Sequence, residues 1–129
     1  MSDSRKALLA MHEEMWAKTF GRILTGNGYE LVTSDSVAEM KDQMDVSIDG
    51  VPQNFFDLYM MDANLGSPGS RSYEPAEQIF SLIKPDYDAG KIKYLAITGN
   101  SDDAIDLNQS GVPCLSKGKI TEISDFIRG

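Results

Sequence analysis

The run Phe55-Phe56-Asp57-Leu58-Tyr59-Met60-Met61 is apolar at all but one position and stops on Asp62. A strand with one face in water alternates apolar and polar residues. One that is apolar almost throughout needs cover on both faces, as at the centre of a parallel sheet. Two further runs stop in the same way: Tyr94-Leu95-Ala96-Ile97 on Thr98, and Val112-Pro113-Cys114-Leu115-Ser116 on Lys117. As neighbouring parallel strands, the three runs bring an acid, a hydroxyl and an amine to the carboxyl edge of one sheet, where open α/β sheets bind ligands. That trio is suited to accepting and holding a phosphoryl group.

The rest of the chain supplies strands and helices in alternation. Ala7-Leu8-Leu9-Ala10-Met11 reads as a buried strand, although periodicity alone equally allows a helix running on to Leu24. From Glu14 to about Thr25 the apolar residues Met15, Phe20, Ile23 and Leu24 fall at helical spacing, and Gly26-Asn27-Gly28 supplies a stop. Tyr29–Thr33 reads as a strand. Ser36 caps a second helix to about Met44, with Ser36-Val37-Ala38-Glu39 fitting a capping box. Val46–Asn54 and Asn64–Ser72 read as loops. A helix is expected from Glu74 to about Lys84, a strand at Ile92–Ile97 and a helix from Asp102 to about Gln109. A strand at Val112–Ser116 and a helix near Glu122–Ile127 complete the order βαβαβαβαβα, which implies a mostly parallel sheet covered on both faces. Right-handed crossovers then leave few topologies.

The chain has 129 residues, 41% hydrophobic and 25% charged, in the range of one ordinary soluble domain. Acidic residues outnumber basic ones 20 to 12, for a net charge of −8. Such a surface is repelled by phosphate backbones, so no nucleic-acid partner is expected. The one cysteine, Cys114, excludes an intramolecular disulfide and reads as a small buried apolar residue. No stretch suits a signal peptide or a membrane span, so a cytoplasmic protein without membrane attachment is expected. No linker, repeat or low-complexity segment breaks the chain, so residues 1–129 are expected to form one domain with no output domain.

Four segments in this order resemble the receiver domains of two-component signalling: Leu8-Leu9-Ala10-Met11-His12-Glu13-Glu14, Asp57–Leu65, Leu95-Ala96-Ile97-Thr98-Gly99-Asn100 and Gly111–Lys117. The resemblance covers nearly the whole chain. It implies an α/β, flavodoxin-like (βα)5 three-layer sandwich with parallel strand order 2-1-3-4-5. It makes Asp62 the acceptor of a phosphoryl group from a histidine kinase or phosphotransfer protein, with Mg²⁺ as cofactor. Thr98 matches the hydroxyl residue that moves toward the phosphoryl group, and Lys117 the lysine that contacts it. The metal would be held by Asp62, Glu13 and the backbone carbonyl of Asn64. His12 is read first as a hydrogen-bonding neighbour of that site and only second as a ligand, since neutral imidazole suits softer metals. The side chains of Asn64 and Asn100 match positions that tune phosphoaspartate hydrolysis.

The sequence departs from the family pattern at two places. His12-Glu13 stands where receivers usually have two aspartates, and Cys114 where many have a switch aromatic. The resemblance implies a signalling domain, catalytic only in its own phosphorylation and hydrolysis, which docks an unidentified downstream protein through the region from about Asp102 to Ile127. The His12-Glu13 pair keeps open a pseudo-receiver that binds partners without phosphate. A phosphatase of the haloacid-dehalogenase type, by contrast, wants a second aspartate where Asn64 stands. A flavodoxin wants a Ser/Thr-rich phosphate loop where the first strand is followed by acids.

Overall fold

The computed structural model describes residues 5–45, 56–65 and 73–128. Among them five strands and five helices alternate: β1 (Arg5–Ala10), α1 (Glu14–Gly26), β2 (Tyr29–Ser34), α2 (Val37–Gln43), β3 (Leu58–Asp62), α3 (Glu74–Asp88), β4 (Lys93–Thr98), α4 (Ser101–Gln109), β5 (Cys114–Ser116) and α5 (Ile120–Arg128). Every pairing is parallel and the order is β2-β1-β3-β4-β5, the flavodoxin-like arrangement the sequence implied.

The apolar runs divide by the two-residue period of a strand. Leu8, Ala10, Tyr59, Met61, Tyr94 and Ala96 face one layer, against Met40, Ile79, Ile83 and Leu107. Ala7, Leu9, Leu58, Met60, Leu95 and Ile97 face the other, against Phe20, Leu24, Ile123 and Ile127. β3 is buried at all five positions because it lies in the middle of the sheet with helices on both sides. The strand reading of Ala7–Met11 holds over the helical one, with β1 beginning at Arg5 and Met11 lying just past its end.

Several boundaries differ from the sequence expectation for local reasons. β3 starts at Leu58 rather than Phe55; Phe55 lies outside the described residues, as do the loop at 46–54 and residues 66–72. Asp57, the one polar residue of the run, sits at the strand's start, where its Oδ2 accepts the Lys6 N–H at 2.8 Å. α3 runs through Pro85 to Asp88 instead of stopping at Lys84. Proline interrupts a helix by removing one N–H and crowding the preceding turn. Here packing of the Tyr87 ring on Phe80 at 5.1 Å and the Lys84–Asp88 ion pair at 2.7 Å hold the last turn. β5 is confined to Cys114–Ser116, although the Pro113 carbonyl still accepts the Ala96 N–H at 2.9 Å. The Ser36 cap forms as expected, its side chain accepting the Glu39 N–H at 3.1 Å. Glu39 reaches back one residue further than in an ideal box, to the Asp35 N–H at 3.2 Å. No helix among the described residues is long and apolar enough to cross a membrane.

Candidate functional site

The strand ends converge because the ladders hold them in register. Ala10 pairs with Met61, Asp62 with Ile97 and Thr98 with Ser116. Asp62 therefore closes β3 beside the turn leaving β1, Thr98 closes β4 one step beyond it, and Lys117 follows β5 one step beyond Thr98. The last offset is fixed by the Lys117 N–H, which donates to the Thr98 carbonyl at 2.8 Å.

The structure brings four side chains together here. Asp62 is fully buried. The His12 backbone N–H donates to Asp62 Oδ2 at 2.9 Å, and His12 Nδ1 lies 2.8 Å from the same oxygen. The ring nitrogen makes no hydrogen bond there, so the backbone N–H is the group of His12 that bonds Asp62. On the other side Lys117 Nζ lies 3.3 Å from Asp62 Oδ1, again without hydrogen-bond alignment, which leaves Oδ1 buried with no bonded donor. The same ammonium donates to Glu13 Oε1 at 2.9 Å, and His12 Nε2 lies 3.8 Å from that oxygen.

Glu13 is the N-cap of α1, and its side chain is 48% exposed. The hydrogen bond from Lys117, followed by the lysine's charge, holds the Glu13 carboxyl below its ordinary value of 4.5 against a small opposing burial effect, with His12 a minor contributor. The exposure means that solvent screens much of this interaction.

The remaining predicted residues stand around this group. The buried Thr98 hydroxyl accepts the Asn100 N–H at 3.3 Å, while Asn100 caps α4, its side chain accepting the Asp102 N–H at 2.8 Å. Asn64 lies two residues past Asp62 in the turn that follows β3. Glu14, by contrast, points into solvent and pairs with Lys18 at 3.2 Å. Cys114 is buried, and burial pushes its thiol up to about 12.

One participant carried no signal in the sequence. Lys117 Nζ sits 5.8 Å from the centroid of the Trp16 ring, which stacks on Phe20 at 5.6 Å. The aromatic face flanks the ammonium at a distance where cation–π attraction operates. A tryptophan at helical spacing reads as packing; its position against a lysine a hundred residues away depends on the α1 and β5 placements together.

An oxygen-seeking cation has a reasonable donor set in this pocket. The carboxylates of Asp62 and Glu13 meet here around Lys117, and Asp62 Oδ1 is a buried oxygen without a hydrogen-bond donor. Among the described residues no three His, Cys, Asp or Glu side chains gather as a metal cage. Mg²⁺ does not need one, being commonly held by one or two carboxylates with water and phosphate oxygens.

No family model matches the sequence, and no curated protein matches it. Solved structures do. A response regulator receiver domain protein from Clostridium thermocellum is 17% identical with a TM-score of 0.64, the match covering 95% of this chain and 90% of that one. The non-phosphorylated HemR receiver domain from Leptospira biflexa is 16% identical with a TM-score of 0.66, covering 98% and 95%. The Mn²⁺-bound form of response regulator Rcp1 is 19% identical with a TM-score of 0.63, covering 97% and 90%. The chain thus has the fold of response regulator receiver domains over nearly its whole length.

Proposed function

We propose that this chain is a receiver of two-component signalling that accepts a phosphoryl group on Asp62 from a histidine kinase or a phosphotransfer protein. The observation that carries the reading is the buried Asp62 carboxylate at the end of β3, with Oδ1 free of hydrogen-bond donors and the Lys117 ammonium 3.3 Å away. Phosphoryl transfer asks the protein for position and charge neutralisation more than for covalent machinery. Asp62 Oδ1 attacks phosphorus, the bond from phosphorus to the donor's imidazole nitrogen breaks, and that nitrogen leaves with its electron pair. Lys117 neutralises charge on the transferred oxygens, and the Thr98 hydroxyl turns from the Asn100 N–H to bond them.

Asp62, Glu13 and the Asn64 carbonyl are the groups that would hold Mg²⁺. When bound, the ion supplies positive charge against the repulsion between carboxylate and phosphoryl oxygens. His12 acts beside this set, its N–H fixing the Asp62 carboxylate in place. Asn64 and Asn100 flank the acceptor, where they tune how readily water reaches the acyl phosphate. Movement of Thr98 pulls on the β4–α4 connection and passes the event to α4, β5 and α5, where a downstream protein docks. Signalling of this kind takes place in the cytoplasm.

A second reading has a specific observation behind it. The Lys117 ammonium and the His12 backbone N–H already flank the two Asp62 oxygens, and Lys117 also engages Glu13, so one of the two carboxylate charges is offset by the chain's own lysine. That arrangement suits a pseudo-receiver that docks partners constitutively.

Beryllofluoride, a phosphoryl mimic, separates the two. Amide NMR shifts at Asp62, Thr98 and Lys117 that saturate and require Mg²⁺ are expected for the phospho-receiver. A folded protein that shows none at millimolar Mg²⁺ is a pseudo-receiver. Incubation with acetyl phosphate should add one phosphate to the wild type and none to Asp62→Asn; a label retained on that variant refutes the acceptor assignment.

A further inference from the structure

His12 brings an imidazole to the pocket where a cation would sit. Its Nδ1 lies 2.8 Å from Asp62 Oδ2, is buried, and makes no hydrogen bond. A ring nitrogen beside a carboxylate is ordinarily bonded to it, and buried polar atoms are nearly always satisfied. Here Oδ2 takes its hydrogen bond from the His12 backbone N–H, at 2.9 Å. Asp62 Oδ1, in the same pocket, is a second buried atom without a hydrogen-bond partner. The two lie just under the surface, since the His12 side chain is 19% exposed and Glu13 beside it is half exposed. An unsatisfied nitrogen and an unsatisfied carboxylate oxygen on adjoining side chains are a donor set for one ion.

The ring also decides which ion. Mg²⁺ wants oxygen ligands and gives up its waters reluctantly. Imidazole suits Zn²⁺ and its first-row neighbours, which bind nitrogen at about 2.0–2.1 Å. Two ligands side by side on such an ion stand about 3 Å apart, close to the 2.8 Å that already separates Nδ1 from Oδ2. Metal-bound imidazoles usually turn their other nitrogen toward a carboxylate, and Nε2 here faces Glu13 Oε1 at 3.8 Å. No group of three His, Cys, Asp or Glu side chains forms a cage among the described residues. His12 and Asp62 are therefore the two side-chain ligands of an open site that water completes.

Resting on the reading of the Asp62 pocket as a cation site, we propose that His12 turns its preference from Mg²⁺ to a borderline transition-metal dication such as Zn²⁺. Nδ1 and the Asp62 carboxylate are the ligands, and Glu13 steadies the ring at Nε2.

His12 is the one histidine of the chain, so the ring ¹⁵N spectrum of the untagged protein reports it alone. Zinc chloride should move the Nδ1 resonance to saturation while Nε2 keeps its proton; magnesium chloride at equal concentration should leave both in place. By calorimetry the wild type should bind Zn²⁺ more tightly than Mg²⁺. His12→Asn should weaken Zn²⁺ at least about tenfold, the least that losing even a supporting partner of a metal ligand costs, with Mg²⁺ unchanged. His12→Asp, which adds an oxygen ligand, should strengthen Mg²⁺. The backbone N–H that bonds Asp62 survives in both variants, so both should fold, and the wild-type spectrum decides by itself. Nδ1 unmoved at millimolar Zn²⁺ means that water satisfies the ring, and a shift confined to Nε2 means a surface site. An unchanged ratio of Zn²⁺ to Mg²⁺ affinity in His12→Asn means that the imidazole is no ligand. Each of these overturns the proposal. The titrations contain no phosphoryl donor. Zn²⁺ on Nδ1 in a chain that takes no phosphate removes the receiver reading alone, and phosphorylation with Mg²⁺ in a chain whose Nδ1 ignores Zn²⁺ removes this proposal alone.

Discussion

Replacing Lys117 with methionine removes the ammonium and keeps a side chain of similar length. The ammonium's approach to the Trp16 face is lost, and with it two ion pairs. The one with Glu13 involves a half-exposed carboxylate and is worth about 0.2–1 kcal/mol. The one with Asp62 is different, because the Asp62 side chain is 1% exposed and the lysine 12%. Deleting one partner of a buried pair costs about 3–5 kcal/mol, since the other charge stays behind without compensation. Asp62 keeps the hydrogen bond from the His12 backbone N–H at 2.9 Å, which places the loss at the lower end, about 3 kcal/mol. In urea, with a slope of about 2 kcal/mol per molar, the midpoint should fall by about 1.5 M with the slope unchanged. Adding Asp62→Asn in that background removes the stranded charge and should recover about 2 kcal/mol of the loss. The reasoning fails if Lys117→Met leaves the midpoint where it was, or if the double variant is no more stable than the single one.

Three smaller predictions test separate parts of the structure. Glu13 is held below its ordinary value of 4.5 by Lys117, so its contribution to stability is complete above that value and is lost as pH falls through the folded-state value. In Lys117→Met its ¹³C titration midpoint should therefore rise toward 4.5. The buried Cys114 thiol, raised to about 12, should resist iodoacetamide at pH 8 in the native protein and react promptly in urea; rapid native labelling would show that β5 opens readily. Tyr94 is fully buried and its hydroxyl donates to the Ala76 carbonyl at 3.0 Å, so Tyr94→Phe strands a buried acceptor. A cost of about 1–2 kcal/mol, or a fall in Tm of about 4–8 °C by circular dichroism, is expected.

The residues legible in the sequence share one property. Asp62, Thr98 and Lys117 end apolar runs, and a run long enough to be a buried strand ends at the carboxyl edge of the sheet. Their positions followed from burial alone, and the ladder register then set the spacing. What burial does not encode is which polar side chains meet once they arrive there. Lys117 and Glu13 are 104 residues apart, and nothing in either segment announces the other. The Trp16 contact was hidden for the same reason. α3 outruns its expected end at about Lys84 because packing of Tyr87 on Phe80 outweighs the local cost of Pro85.

The Lys117–Glu13 bridge also changes what a glutamate at this place does. In the proposed metal site, Glu13 would reach one methylene further than an aspartate. In the structure its carboxylate is already held by a lysine that reaches Asp62 as well. One ammonium serving two carboxylates is a weak arrangement for both, and a phosphoryl group on Asp62 offers Lys117 a stronger anion. Lys117 should then leave Glu13, whose carboxylate becomes available to a cation at the moment the pocket gains negative charge. Metal and phosphoryl group should therefore bind with positive coupling, of the ~1–3 kcal/mol usual between linked sites. Trp16, the one tryptophan, stands 5.8 Å from Lys117 Nζ and reports the lysine's departure. Mg²⁺ titrations followed by its fluorescence should give a dissociation constant about tenfold lower with beryllofluoride than without, the factor for ~1.4 kcal/mol. In Glu13→Gln that difference should shrink, because Lys117 no longer has a carboxylate to release. Equal Mg²⁺ affinity with and without beryllofluoride in the wild type would mean that Lys117 does not gate Glu13.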